Sequence, residues 1–134
     1  MAERREAGLL DTSVVIDLER LSPDALPLTV GLSAITMAEL AAGPSATDDP
    51  AERARRQDRL QRAEAAFEPI AFGIEAARAY GRIYAAVAAS GRQPRRRLAD
   101  LLIAATAVAE GLPLVTRNAA DFAGLEDVVE IITV

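Results

Sequence analysis

Ala7-Gly-Leu-Leu-Asp-Thr-Ser-Val-Val-Ile-Asp-Leu18 changes its pattern at a single acidic residue. Residues 7–10 form a short apolar run that reads as a buried strand. From Thr12 or Ser13 onward, Val14, Val15 and Leu18 fall at helical spacing, which predicts a helix to about Leu21. Asp11 stands where the one hands over to the other. The alternation continues along the chain. Residues 28–32, 68–71, 112–115 and 128–134 are four further strand candidates, and helices are predicted over 33–42, 49–67, 73–89 and 97–110. Gly43-Pro44 and Gly111 mark two helix ends, and Asp49-Pro-Ala-Glu52 marks a helix start. In the helix over 73–89, Ile74, Ala77, Tyr80, Tyr84 and Val87 recur at three- and four-residue steps. The helix over 97–110 is apolar almost all round and should be deeply buried. Strands alternating with helices predict an α/β fold with a mostly parallel sheet of four to five strands flanked by helices. No repeat or linker divides the chain, so residues 1–134 read as one domain.

Composition narrows the chemistry. The chain has no His and no Cys, which leaves carboxylates as nearly the only groups for acid–base or metal work. All 15 basic residues are Arg. Without Lys there is no Schiff-base chemistry, no P-loop lysine and no receiver-domain lysine. The hydrophobic fraction of 51% is ample for a core, and with only 4% aromatics that core must be built from Leu, Val, Ile and Ala. No apolar run approaches the roughly 20 residues that cross a bilayer, and the charged start does not read as a signal peptide, so a cytoplasmic protein is expected. The net charge of −5 counts against nucleic-acid binding taken as a total. Residues 91–97, Gly-Arg-Gln-Pro-Arg-Arg-Arg, nevertheless form a compact basic loop just before Asp100.

Four carboxylates occupy comparable places: Asp11, Glu39, Asp100 and Asp121. In an open parallel sheet, ligands gather beyond the carboxyl ends of the strands, and all four acids fall near such ends or in the first turns of helices. Each has a plain alternative reading. Asp11 can cap the helix after it. Thr36-Met-Ala-Glu39 fits a capping box, with Glu39 reaching back to the Thr36 amide. Asp100 suits a helix N-terminus and Asp121 a turn. Together they demand more. Two carboxylates about 4 Å apart repel by roughly 4 kcal/mol at an effective dielectric near 20. Gathering three or four of them needs a counter-charge. All-oxygen ligands without His or Cys point to Mg²⁺ or Mn²⁺ rather than zinc.

The set Leu9-Leu-Asp-Thr-Ser13, Thr36-Met-Ala-Glu-Leu40, Ala99-Asp-Leu-Leu-Ile-Ala-Ala-Thr106 and Leu114-Val-Thr-Arg-Asn-Ala-Ala-Asp-Phe122 resembles PIN-domain ribonucleases, most closely the VapC-type toxins of toxin–antitoxin pairs. The resemblance spans the whole chain, in order. It implies a three-layer PIN-like fold and a Mg²⁺- or Mn²⁺-dependent endoribonuclease. Asp11, Glu39 and Asp100 match the three acidic positions, with Asp11 and Asp100 as metal ligands. Asp121 is taken as the fourth acid, with Asn118 the other choice. Thr12, Ser13 and Thr116 match supporting hydroxyl positions. Arg95, Arg96, Arg97 and Arg117 are candidates for the RNA backbone. The resemblance further implies a cognate VapB-type antitoxin and a homodimer. The main rival is a PIN-like module that binds RNA or a protein without cutting. A flap nuclease is usually longer, and a haloacid dehalogenase fails because Asp11-Thr-Ser lacks a second aspartate two residues on.

Overall fold

Side chains of successive strand residues point to opposite faces of a sheet, and along β1 (Ala7–Leu10) this divides the molecule into layers. Leu9 packs with residues of α4 (Ile74–Ala89) and α5 (Leu98–Glu110), whereas Leu10 packs with α1 (Thr12–Ile16), α2 (Ala34–Ala42) and Ala63 of α3 (Pro50–Ala66). The same split separates Leu114 from Val115 in β3 (Leu114–Thr116). The result is a three-layer α/β/α arrangement. The computed structural model describes residues 4–134. With β2 (Thr29–Leu32) and β4 (Ile131–Thr133), the four strands run parallel in the order β2-β1-β3-β4. Registers such as Leu10 opposite both Leu32 and Val115 bring the carboxyl ends of the two central strands level.

Strand order reverses between β1 and β3: the chain leaves β1 for β2 on one side and returns through α2–α5 to β3 on the other. That reversal opens a crevice at the carboxyl ends of the two strands.

Most predicted elements are present, with instructive differences. Residues 68–71 do not form a strand. Pro69 has no N–H to donate, so only Ile70 engages the sheet, in a single bridge to Ser33. Its amide donates to Leu32 O at 2.9 Å and its carbonyl accepts from Ala34 N at 2.8 Å. The first helix stops at Ile16 and continues only as a 3₁₀ turn over Leu18–Arg20. Gly43 keeps a right-handed helical conformation and leads into a 3₁₀ turn over Gly43–Ala46, so it is no left-handed cap. Gly111 is one, at φ 66°. The basic residues 94–97 form a 3₁₀ turn leading directly into α5. In α4 the buried stripe is Ala76, Ala79, Ile83 and Val87, while Ile74 and Tyr84 are exposed. The seam with α5 is lined by alanines, whose small side chains let two helices lie close. Among the described residues, no helix is long and apolar enough to cross a membrane.

Gly8 lies where β1 passes closest to its surroundings. A Cβ there would stand 2.8 Å from Val115 Cγ2 and 2.9 Å from Pro27 Cγ. Gly8→Ala is therefore expected to overpack the sheet and lower stability by about 1–3 kcal/mol, read from the urea midpoint. An unchanged midpoint would show that Pro27 yields freely.

Candidate functional site

Asp11 leaves β1 at the crevice, its amide donating to Val115 O of β3 at 2.9 Å. Asp11 is only 4% exposed, and three groups hold its carboxylate. Oδ1 accepts from Ser13 Oγ at 2.5 Å and from Val14 N at 3.3 Å; Oδ2 accepts from Thr116 Oγ1 at 2.7 Å. The two hydroxyls that donate to Asp11 also accept from the loop after β3: Ser13 Oγ from Arg117 N at 3.1 Å, and Thr116 Oγ1 from Asn118 N at 3.0 Å. Of the four lone-pair sites on a carboxylate, three are taken. One on Oδ2 is left for a ligand. Asp11 does cap α1 through Val14, so the plain reading holds, but the cap uses only part of the group.

Glu39 departs from its plain reading. Ser33, not Thr36, is the N-cap of α2, and its Oγ accepts from Thr36 N at 3.1 Å. Glu39 lies a turn further on, and its Oε1 accepts instead from Thr12 Oγ1 at 2.6 Å. Thr12 has one hydroxyl proton, and a carboxylate only accepts. The 3.1 Å contact between Thr12 and Thr36 is therefore donated by Thr36. Ser33 lies 3.5 Å from the Thr36 hydroxyl and completes a chain of hydroxyls running Ser33, Thr36, Thr12, Glu39. Thr36 and Ser33 are fully buried. Sequence reasoning missed both as site residues, although the Ser-x-x-Thr spacing at a helix start was the available signal.

Asp100 lies in the first turn of α5, with a side chain 26% exposed, and Asp121 lies in the 3₁₀ turn over Ala119–Phe122. Arg97 reaches both: its Nη1 is 2.5 Å from Asp121 Oδ1 and 3.9 Å from Asp100 Oδ2. Asn118 Nδ2 donates to Asp121 Oδ2 at 3.1 Å, so of the two residues Asn118 holds and Asp121 carries the charge. Burial, and then the charges of Asp121, Glu39 and Asp11, push the Asp100 carboxyl up to about 6, with Arg97 offsetting part of the rise. Asp100 thus feels the charges of the other three acids. Arg95 and Arg96 are exposed on the 3₁₀ turn. Arg117 turns to Asp17 at 3.4 Å, a residue sequence reasoning did not single out.

Among the described residues, no three carboxylates come close enough to enclose a single ion. The donors nevertheless suit a small hard cation. They are all oxygen, and Mg²⁺ commonly keeps several waters while binding only one or two carboxylates. Burial of Asp100 beside three like charges favours its neutral form, and a cation bound there would favour the charged one.

The family model described as PIN domain matches residues 8–127. The chain is 38% identical to Ribonuclease VapC5 of Mycobacterium tuberculosis over the full length of both. It is 36% identical to VapC ribonuclease Y4jK of Sinorhizobium fredii, over 88% of this chain and 93% of that protein. Among solved structures it superposes at a TM-score of 0.84, with 38% identity over 96% of this chain and 99% of the other, on a member of the VapBC family of toxin–antitoxin systems, VapBC-5 from Mycobacterium tuberculosis.

The burial of Asp100 among like charges has a pH signature. Because the Asp100 value in the folded protein is above its ordinary 3.8, the folded protein holds that proton more tightly than the unfolded chain does. The stability it contributes is full below about pH 4 and lost as the pH rises through about 6. In EDTA, urea midpoints of wild type should fall across that window, while Asp100→Asn should show a flatter profile and greater stability at pH 7. Parallel profiles would show that Asp100 is not the group whose raised value sets the pH dependence.

Proposed function

Because the chain belongs to the PIN-domain family, we propose that it is a metal-dependent endoribonuclease acting as the toxin of a toxin–antitoxin pair. The observation that carries the reading is the convergence of Asp11, Glu39 and Asp121 on Asp100, whose burial, and then whose like-charged neighbours, raise its carboxyl to about 6. Relatives at 38% and 36% identity bear the name ribonuclease, and the likeness holds over nearly the whole of each chain.

Asp11 and Asp100 would hold a Mg²⁺ or Mn²⁺ ion, with Asp121 available to a second. Such an ion, when bound, supplies Lewis acidity, lowering the pKa of water and offsetting charge on the phosphate. The residues of the chain do the rest. Asp11, fixed by Ser13 and Thr116, presents its one remaining lone pair to the crevice. Glu39 is exposed and fixed by Thr12, so it can accept a hydrogen bond from the attacking water and orient it in line with the scissile P–O bond. Arg95 and Arg96 are free to meet the RNA backbone, since guanidinium pairs with phosphate through two parallel hydrogen bonds. Arg117 would first have to leave Asp17. The partners carried by this reading are RNA, a VapB-type antitoxin and a second copy of the chain. The solved relative is itself described as a member of a toxin–antitoxin system.

Incubation with total RNA tests the activity. Wild type with Mg²⁺ or Mn²⁺ should cut, EDTA should stop it, and Asp11→Asn should lose at least the ~10–100-fold that even outer-shell changes produce. Cutting in EDTA, or undiminished cutting by Asp11→Asn, would leave the catalytically silent binding module as the better account. Thr116→Val removes a hydroxyl from Asp11 without changing shape much, and is expected to weaken Mn²⁺ binding by about 10–100-fold in calorimetry. Unaltered affinity would mean that Asp11 does not depend on Thr116.

A further inference from the structure

Arg97 stands in a position that its own helix disfavours. It is the N-cap of α5, where Ser, Thr, Asp or Asn would satisfy the free amides, and it makes no side-chain cap. A cation is also unfavourable at the positive end of a helix. Its side chain instead turns to two carboxylates, Asp121 Oδ1 at 2.5 Å and Asp100 Oδ2 at 3.9 Å, while Arg95 and Arg96 on the same turn stay exposed. A local rule broken at a helix start is here offset by acids that need a positive charge.

We propose that Arg97 is a resident counter-cation, and that its guanidinium and a divalent ion compete for the Asp100–Asp121 pair. This rests on the cation site proposed above. An ion drawn to those two carboxylates meets a positive charge already seated on them. To load, it must displace the guanidinium, and the Arg97 side chain, 54% exposed, has open space into which to swing. Arg97 is then a positioning residue that sets the cation concentration at which the site fills, rather than one more basic residue for the RNA backbone. Asn118 holds Asp121 from its other oxygen, so the acid stays in place when Arg97 leaves.

Calorimetric titration of the metal-free protein with Mn²⁺ tests this without RNA. Arg97→Gln is expected to bind about three- to tenfold more tightly than wild type, the scale of two partly exposed ion pairs released. Arg82→Gln, the same change of net charge at an exposed position of α4, should stay within about twofold, since exposed charges away from the site are screened. Arg97→Lys keeps the charge and should bind much as wild type does, and it carries the comparison if the Gln variant fails to fold, which melting curves of the metal-free proteins check. Equal or weaker binding by Arg97→Gln would overturn the proposal, as would an equal gain in Arg82→Gln or a full gain in Arg97→Lys. Absence of Mn²⁺ binding in wild type and every Arg97 variant would instead overturn the cation site itself, and the competition with it.

Discussion

The buried carboxylate of Asp11 is the constraint on which the rest depends. It ends one central strand, caps the following helix, and accepts hydroxyls from Ser13 and from Thr116 at the end of the neighbouring strand. Those hydroxyls in turn hold the amides of Arg117 and Asn118. A charge so little exposed would be expensive without such partners. The hydrogen bonds that make it tolerable also fix the loop carrying Asp121 against the strand carrying Asp11. Fold and site are therefore closed by the same few contacts.

A second tension lies in α5. Its core-facing residues Leu101, Ile103, Ala104, Ala105 and Ala107 are buried against β1 and α4, and this buried helix carries Asp100 in its first turn. Moving Asp100 away from its neighbours would mean moving the core. Burial and like charge at Asp100 are accordingly met by a raised proton affinity and by Arg97. Such a site gives up stability in exchange for a place where positive charge is wanted.

The layered fold was legible in the sequence wherever pattern and punctuation agreed: the apolar run before Asp11, the helix started by Asp49-Pro50, the left-handed Gly111. It was less legible where one residue outweighed its neighbours. Pro69 reduced an expected strand to a bridge. In α4 the expected stripe held at Val87 and in part at Tyr80, but Ile74, Ala77 and Tyr84 are exposed and Ala76, Ala79 and Ile83 take the buried face. The acidic residues were visible by type and place, yet their supports were not. The sequence offered Glu39 the Thr36 amide as its partner, but that amide goes to Ser33, and the packing of α1 against α2 gives Glu39 Thr12 instead. The bend of Arg97 into the acids is likewise a tertiary fact: in the sequence it is one of three consecutive arginines.

The single lone pair left on Asp11 bears on ion choice. Calcium favours six to eight oxygens and readily takes both arms of a carboxylate, at distances near 2.3–2.6 Å. Asp11 can offer one arm only, because Ser13 and Val14 saturate the other. With so few contacts on offer, a cation site built on Asp11 as proposed would deny a large ion the crowded shell it requires, while a smaller one could complete its octahedron from solvent.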